Sequence, residues 1–304
     1  QNYRNYVIVG LFGSALGPLV SFLAFGGVLP SGFSILIAYV LGIFVGFILP
    51  QLSMQYLGFH QGFSLYNVGF TAGIVGMVVL GFLNAFEIEV ETKTLASTES
   101  PLILYGILIG LCVVLLATSF YLHFKKKEKY HFKLLLKLSG RLPSDFVEMT
   151  NLATVTFNMS IMGLILLGYV MINGGQLNGP IVGSIIGAMS FGAFGNQVKN
   201  TVPVLVGIMI GCYLTGVDVA STSALVAAIF GTTLAPVSGY YGPLAGVIAG
   251  FVHITLVSHV VVMHGGLNLY NNGFAGGFVA AVLVPIFEIF EGIRQDIKER
   301  KAEG

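Results

Sequence analysis

His60-Gln61-Gly62-Phe63-Ser64-Leu65-Tyr66-Asn67-Val68-Gly69-Phe70-Thr71-Ala72-Gly73 returns 204 residues later as His264-Gly265-Gly266-Leu267-Asn268-Leu269-Tyr270-Asn271-Asn272-Gly273-Phe274-Ala275-Gly276-Gly277. Eight of the fourteen positions are identical, where unrelated segments share about one. Both copies lie between long apolar runs. Self-similarity inside a membrane chain is the usual mark of a transporter or channel with its site at the repeat interface.

The surrounding chain supports a membrane setting. It has 304 residues, 55% hydrophobic and 9% charged, with a mean hydropathy of +0.89. A soluble domain carries about 25% charged residues. The fold expected is therefore all-α, a polytopic transmembrane bundle whose partner is the lipid bilayer. The 41 glycines sit inside Ile/Leu/Val/Phe runs and suit close helix packing and broken helices. A net charge of +1 points to no nucleic acid and no acidic partner. Cys112 and Cys212 fall in apolar spans and read as small buried hydrophobes. Nucleophile-elbow, phosphate-loop, Cys-x-x-Cys and His-Glu-x-x-His patterns are absent, so no enzyme, cofactor or metal is expected.

Apolar spans are expected at 5–25, 34–50, 68–86, 101–124, 150–172, 180–195, 198–215, 219–235, 243–263 and 273–291, with an acidic loop at 87–100. One loop is strongly basic, carrying Lys125, Lys126, Lys127, Lys129, Lys133, Lys137 and Arg141. The positive-inside rule places it, and the basic tail, in the cytoplasm. Six segments between them put both on one side, which is consistent. Counting outward, the first motif faces the cytoplasm and the second faces outside. The expected organisation is a first repeat over 1–100, a connecting span and basic loop over 101–149, a second repeat over 150–291 and a cytoplasmic tail over 292–304. The expected location is the inner (plasma) membrane, multi-pass.

A second pair supports duplication. Phe12-Gly13-Ser14-Ala15-Leu16-Gly17-Pro18 matches Phe230-Gly231-Thr232-Thr233-Leu234-Ala235-Pro236 at Phe, Gly, Leu and Pro. Three spans precede the second Pro motif and almost nothing precedes the first, so an N-terminal portion ahead of Gln1 is expected. Matched Gly/Pro breaks in two halves point to a translocation site, because unpaired backbone at membrane depth survives only in protein or beside a wet cavity. Pro18, Pro236, Thr232 and Thr233 mark one pair of breaks. The other pair carries Asn67, Asn271 and Asn272, which donate and accept, with Tyr66, Tyr270, Phe70 and Phe274 beside them. Helix capping is an equal reading for Asn67 and Asn271, and interfacial anchoring for the tyrosines. His60 and His264 are candidate handles at the pore mouth. His253, His259 and His264 do not share a helix face, which argues against a metal relay. Asn151, Thr154 and Asn158 share one face and are expected to line a cavity or bond across helices. Carboxylates within the spans are nearly missing, which favours a passive path for a small polar solute.

Leu269–Gly277, Leu234–Gly239 and Phe191–Asn200 resemble an uncharacterised family of bacterial and archaeal multi-span membrane proteins, which implies a membrane location and no activity. Asn272-Gly273-Phe274-Ala275-Gly276-Gly277, with Pro236-Val237-Ser238-Gly239, is also similar to motifs of the urea transporters. Val68 and Ala235 depart from their pattern. That resemblance implies an inverted-repeat channel for small amides and a homo-oligomer, a trimer. An ion-coupled carrier and a flavin-linked membrane subunit are the alternatives.

Overall fold

The computed structural model describes residues 4–28, 30–90 and 101–303. The described residues are helical, with no strand. Two apolar runs are each broken in the middle. The first is α1 (Arg4–Phe12), a 3-10 turn (Gly13–Leu16) and α2 (Gly17–Phe25). α3 (Ser31–Leu57) and α4 (Asn67–Ala85) follow, with the first motif between them. α5 (Pro101–Lys125) leads to the basic loop, which holds the single turns α6 (Phe132–Leu135) and α7 (Phe146–Met149). α8 (Leu152–Ile172), α9 (Gly179–Ser190) and α10 (Val198–Thr215) come next. The second broken run is α11 (Thr222–Gly231), a 3-10 turn (Thr232–Leu234) and α12 (Ala235–Tyr241). α13 (Pro243–Val260) and α14 (Asn271–Glu303) flank the second motif.

A proline follows each break. Pro18 and Pro236 stand in the first turn of α2 and α12, where a missing N–H costs nothing. A helix can restart there but cannot run through unkinked. Each broken run still has 20 residues, Tyr6–Phe25 and Thr222–Tyr241, about 30 Å at 1.5 Å per residue. Both therefore have the length to cross. Among the described residues nine stretches are long and apolar enough to span a membrane, and Gly179–Ala193 is a shorter tenth. The chain is a multi-pass membrane protein.

Some expected boundaries shift. Pro50 does not end its span: α3 runs through it to Leu57. In lipid a proline removes one ladder bond, but the intact turns on either side still hide their backbone. α14 continues to Glu303, with Pro285 inside it. The 87–100 loop is described only to Val90, and the rest lies outside the described residues.

Burial is uneven. The larger core joins α8–α14 with Phe63 and Phe70. The smaller joins α1–α4 with Leu267 of the second motif. Only 28% of the first broken span is buried, against 72% of the second, because α9, α10 and α13 pack against the second one.

Candidate functional site

The two motifs build the same local structure from the same residues. Asn67 donates its Nδ2 hydrogens to the carbonyl and hydroxyl oxygens of Ser53, each at 2.8 Å. Its Oδ1 lies 3.0 Å from His60 Nε2. In the second copy Asn271 Nδ2 donates to the Val257 carbonyl at 2.8 Å, and its Oδ1 lies 3.0 Å from His264 Nε2. Each asparagine ties its loop back to the helix before it. Neither caps the helix it begins: the residue ahead of α4 is Tyr66 and makes no side-chain cap. The amide oxygen can only accept, so His60 Nε2 carries the proton. Its Nδ1 then accepts the Ser64 N–H at 3.3 Å, which fixes a neutral tautomer. Burial lowers the pKa of both His60 and His264 from the usual value.

The contacts between halves are reciprocal. Leu65 N–H donates to the Thr233 carbonyl at 2.9 Å, and Leu269 N–H to the Ala15 carbonyl at 2.8 Å. Each motif thus bonds to the helix break of the other half and occupies backbone that the break frees. Phe274 fills the space beside Gly73, and Phe70 the space beside Gly277. A Cβ on Gly69 would lie 3.4 Å from the Gly273 Cα, and one on Gly273 would lie 3.1 Å from the Gly69 Cα. A side chain at either position would force its neighbours to shift by a few tenths of an ångström, so the crossing is close because both residues are glycine.

The aromatics follow the same exchange. Phe12 of the first break meets Tyr270 with centroids 6.0 Å apart. Phe230 of the second meets Tyr66 at 5.5 Å, and Phe230 meets Tyr270 at 5.8 Å. These four rings, with Phe191 and Phe194, wall a cavity of about 350 Å³, near the lower end of small-molecule sites, about 300–1,000 Å³. Asn67, Ser53, Val68 and Gly69 line it too, and Leu142, Pro143, Ser144 and Asp145 stand around it. Its lining holds no lysine or arginine. The buried Tyr66 hydroxyl has no hydrogen bond of normal geometry. The neighbouring Thr232 hydroxyl gives its hydrogen to the Ile229 carbonyl at 2.6 Å, which leaves its oxygen only an accepting role toward Tyr66.

Of the residues singled out in the sequence, Tyr66, Asn67 and Tyr270 meet at this cavity. Thr233 stands just behind it, 2.9 Å from the Tyr66 N–H and 3.1 Å from Ser64 Oγ. Phe70 and Phe274 are buried between α4 and α14. Pro18 and Pro236 start helices beside the breaks. His60, His264 and Asn271 serve as clamps. Asn151 caps α8, its Oδ1 accepting the Thr154 N–H at 2.9 Å. Asn158 is buried and donates to the Gly192 and Asn196 carbonyls, each at 2.8 Å.

Two features escaped the sequence. The end of the basic loop is folded onto the first motif: Leu142 N–H donates to the Gly62 carbonyl at 2.9 Å. Arg141 Nε donates to the Gln61 carbonyl at 2.8 Å, and its guanidinium lies over the Phe63 ring at 4.4 Å. The Gly140-Arg141-Leu142-Pro143 turn after a basic run was the available signal. The second feature is an asymmetry. Asn272 Oδ1 lies 3.1 Å from His253 Nε2, both buried, where the repeat partners are the apolar Val68 and Leu49. His253 packs on Gly231 as Leu49 packs on Gly13. Among the described residues no three His, Cys, Asp or Glu side chains converge.

Broken helices, exchanged loops and a shared cavity define a polytopic helical membrane protein whose two motifs are built alike. The family model for "Protein of unknown function (DUF1576)" matches residues 1–85 and 124–289, and the chain belongs to that family. No curated protein and no solved structure matches it.

Proposed function

We propose that the chain is a channel or facilitator for a small polar solute, with its path between two inverted halves. One observation carries this reading: the cavity sits where the first motif, both breaks and Tyr270 converge. Its aromatic walls restrict size. The buried Tyr66 hydroxyl and the remaining lone pair of the Asn67 amide oxygen offer hydrogen bonds, and the lack of lysine and arginine in the lining disfavours anions. Glu148, Asp218 and Glu288 are all exposed, which supports a passive path over a carboxylate-coupled one.

The order of contacts supports inversion. Gly76, well along α4, neighbours His264 and Asn268 ahead of α14, while Gly276 in α14 neighbours Ser64 ahead of α4. Two helices paired this way run in opposite senses. The parity of crossings agrees provided that the short Gly179–Ala193 segment, with its loops, also crosses. The contact of the basic loop with the first motif and with Tyr240 supports a cytoplasmic mouth beside Leu142–Asp145.

The test is uptake into proteoliposomes of urea, short amides, ammonium and polyols. One of them should enter faster than into empty vesicles, and Phe230→Ala or Tyr66→Ala should change the selectivity. No uptake of any member of the panel contradicts the reading.

A further inference from the structure

Five aromatic rings of the cavity wall touch in a closed circuit. Phe12 meets Phe191 with centroids 5.8 Å apart, and Phe191 meets Tyr66 at 4.5 Å. Tyr66 meets Phe230 at 5.5 Å, Phe230 meets Tyr270 at 5.8 Å, and Tyr270 returns to Phe12 at 6.0 Å. All five line the cavity. Both breaks and both motifs contribute, and Phe191 comes from the 3-10 turn (Phe191–Ala193) after α9. Interplanar angles in the circuit run from 47° to 88°. No pair is therefore a parallel stack, which would close two ring faces on each other.

The charge around the circuit has one sign. Asp145 is the one charged side chain in the lining. It is exposed, and its Oδ1 caps α7 by accepting the Val147 and Glu148 N–H groups at 2.8 and 3.2 Å. Its neighbour Arg141 stays out of the lining, because its guanidinium lies on the Phe63 ring and its Nε on the Gln61 carbonyl. The Asn67 amide oxygen, which faces His60, keeps a second lone pair. A carboxylate, an amide oxygen and a circuit of π systems thus meet with no fixed cation among them.

We propose that the solute is a small organic monocation of the guanidinium or alkylammonium kind, drawn through the ring circuit by cation–π attraction. This rests on the path stated under Proposed function and names what travels along it. The faces of aromatic rings are their negative side. A cation over such a face gains most where water is excluded, and a neutral molecule of the same shape lacks that term. Guanidinium also stacks flat on aromatic rings, as an arginine side chain does. The lining carries its carboxylate on an exposed residue and none that is buried. Binding in the circuit is then weak enough for release, which conduction requires.

The test compares guanidinium with urea, two planar molecules of nearly equal size that differ in charge. Labelled guanidinium should enter proteoliposomes about tenfold faster than urea at equal concentration. An inside-negative potassium diffusion potential should raise guanidinium entry and leave urea entry unchanged. Stepwise fluorination of the Phe191 ring drains its negative face and keeps its shape, so each fluorine should lower the guanidinium-to-urea ratio. Asp145→Asn keeps the cap of α7 and should lower the ratio about threefold, more at low salt than at high. Urea entry as fast as guanidinium entry overturns the proposal and leaves the path standing. So does a ratio indifferent to fluorination. Guanidinium that binds the solubilised protein in equilibrium dialysis, more weakly with each fluorine, yet enters no vesicle supports the cation site and counts against the path alone. Neither binding nor entry overturns the proposal.

Discussion

His60 donates its Nε2 hydrogen to the Asn67 amide oxygen at 3.0 Å, and His264 stands in the same relation to Asn271 at the same distance. Both histidines are fully buried, and both asparagines hand their remaining hydrogens to the preceding helix. The recurring histidine and asparagine of the motif therefore fix a loop shape, and the loop in turn presents Tyr66 or Tyr270 to the cavity. Asn67→Ala removes one partner from His60 and one from the Ser53 carbonyl. The cost of leaving a buried polar group unpaired is about 1–3 kcal/mol. Thermal unfolding in detergent should show that loss for Asn67→Ala and a similar one for Asn271→Ala. Unchanged melting of both would mean the clamps hold nothing.

Gly73→Ala and Gly277→Ala should destabilise by similar amounts. Each added methyl meets a phenylalanine ring of the other half, Phe274 or Phe70, and overpacking costs about 1–3 kcal/mol. Phe274→Leu should recover part of the loss in Gly73→Ala but not in Gly277→Ala. Gly81→Ala, on the same helix but with nothing within 4 Å, serves as the control and should melt like the parent.

Acid should loosen the first motif. His60 Nδ1 accepts the Ser64 N–H, which a protonated ring cannot do. Burial is the main cause of its lowered pKa, and the Asn67 hydrogen bond acts weakly the other way. The folded pKa lies below the unfolded value of 6.5, so the unfolded chain binds the proton first. Stability from this group is complete above 6.5 and is lost as pH falls through the folded pKa. Melting temperature measured from pH 7.5 to 5 should fall in the parent and fall less in His60→Gln. Parallel slopes would remove His60 from the explanation.

Arg141→Ala should free the end of the basic loop. It loses the bond to the Gln61 carbonyl and the stacking on Phe63. Lysine lacks the planar fork that makes both contacts, so Arg141→Lys should rescue little. Limited proteolysis between Lys137 and Asp145 should speed up in both variants. Cleavage at the parent rate in Arg141→Ala would show that the turn holds without it.

The fold was legible to different depths. Spans and motifs show because apolar runs and Gly/Pro breaks are local signals, and the offset between His60 and His264 aligns their clamp partners as well. Pro50 misled because one proline costs a helix one bond, and in lipid the helix survives it. The exchange of Leu65 and Leu269 with the opposite breaks joins residues far apart in sequence and leaves no periodic trace. The same holds for His253 and Asn272, whose meaning appears only when Leu49 and Val68 are seen in the matching places.

The proposed path between the halves is tested most directly by a cysteine at Phe230 in a background lacking Cys112 and Cys212. A charged methanethiosulfonate reagent is applied while solute uptake is followed in oriented vesicles. Reaction from the side of the basic loop should stop uptake, and excess solute should slow the reaction. Complete labelling with unchanged uptake would place the path elsewhere.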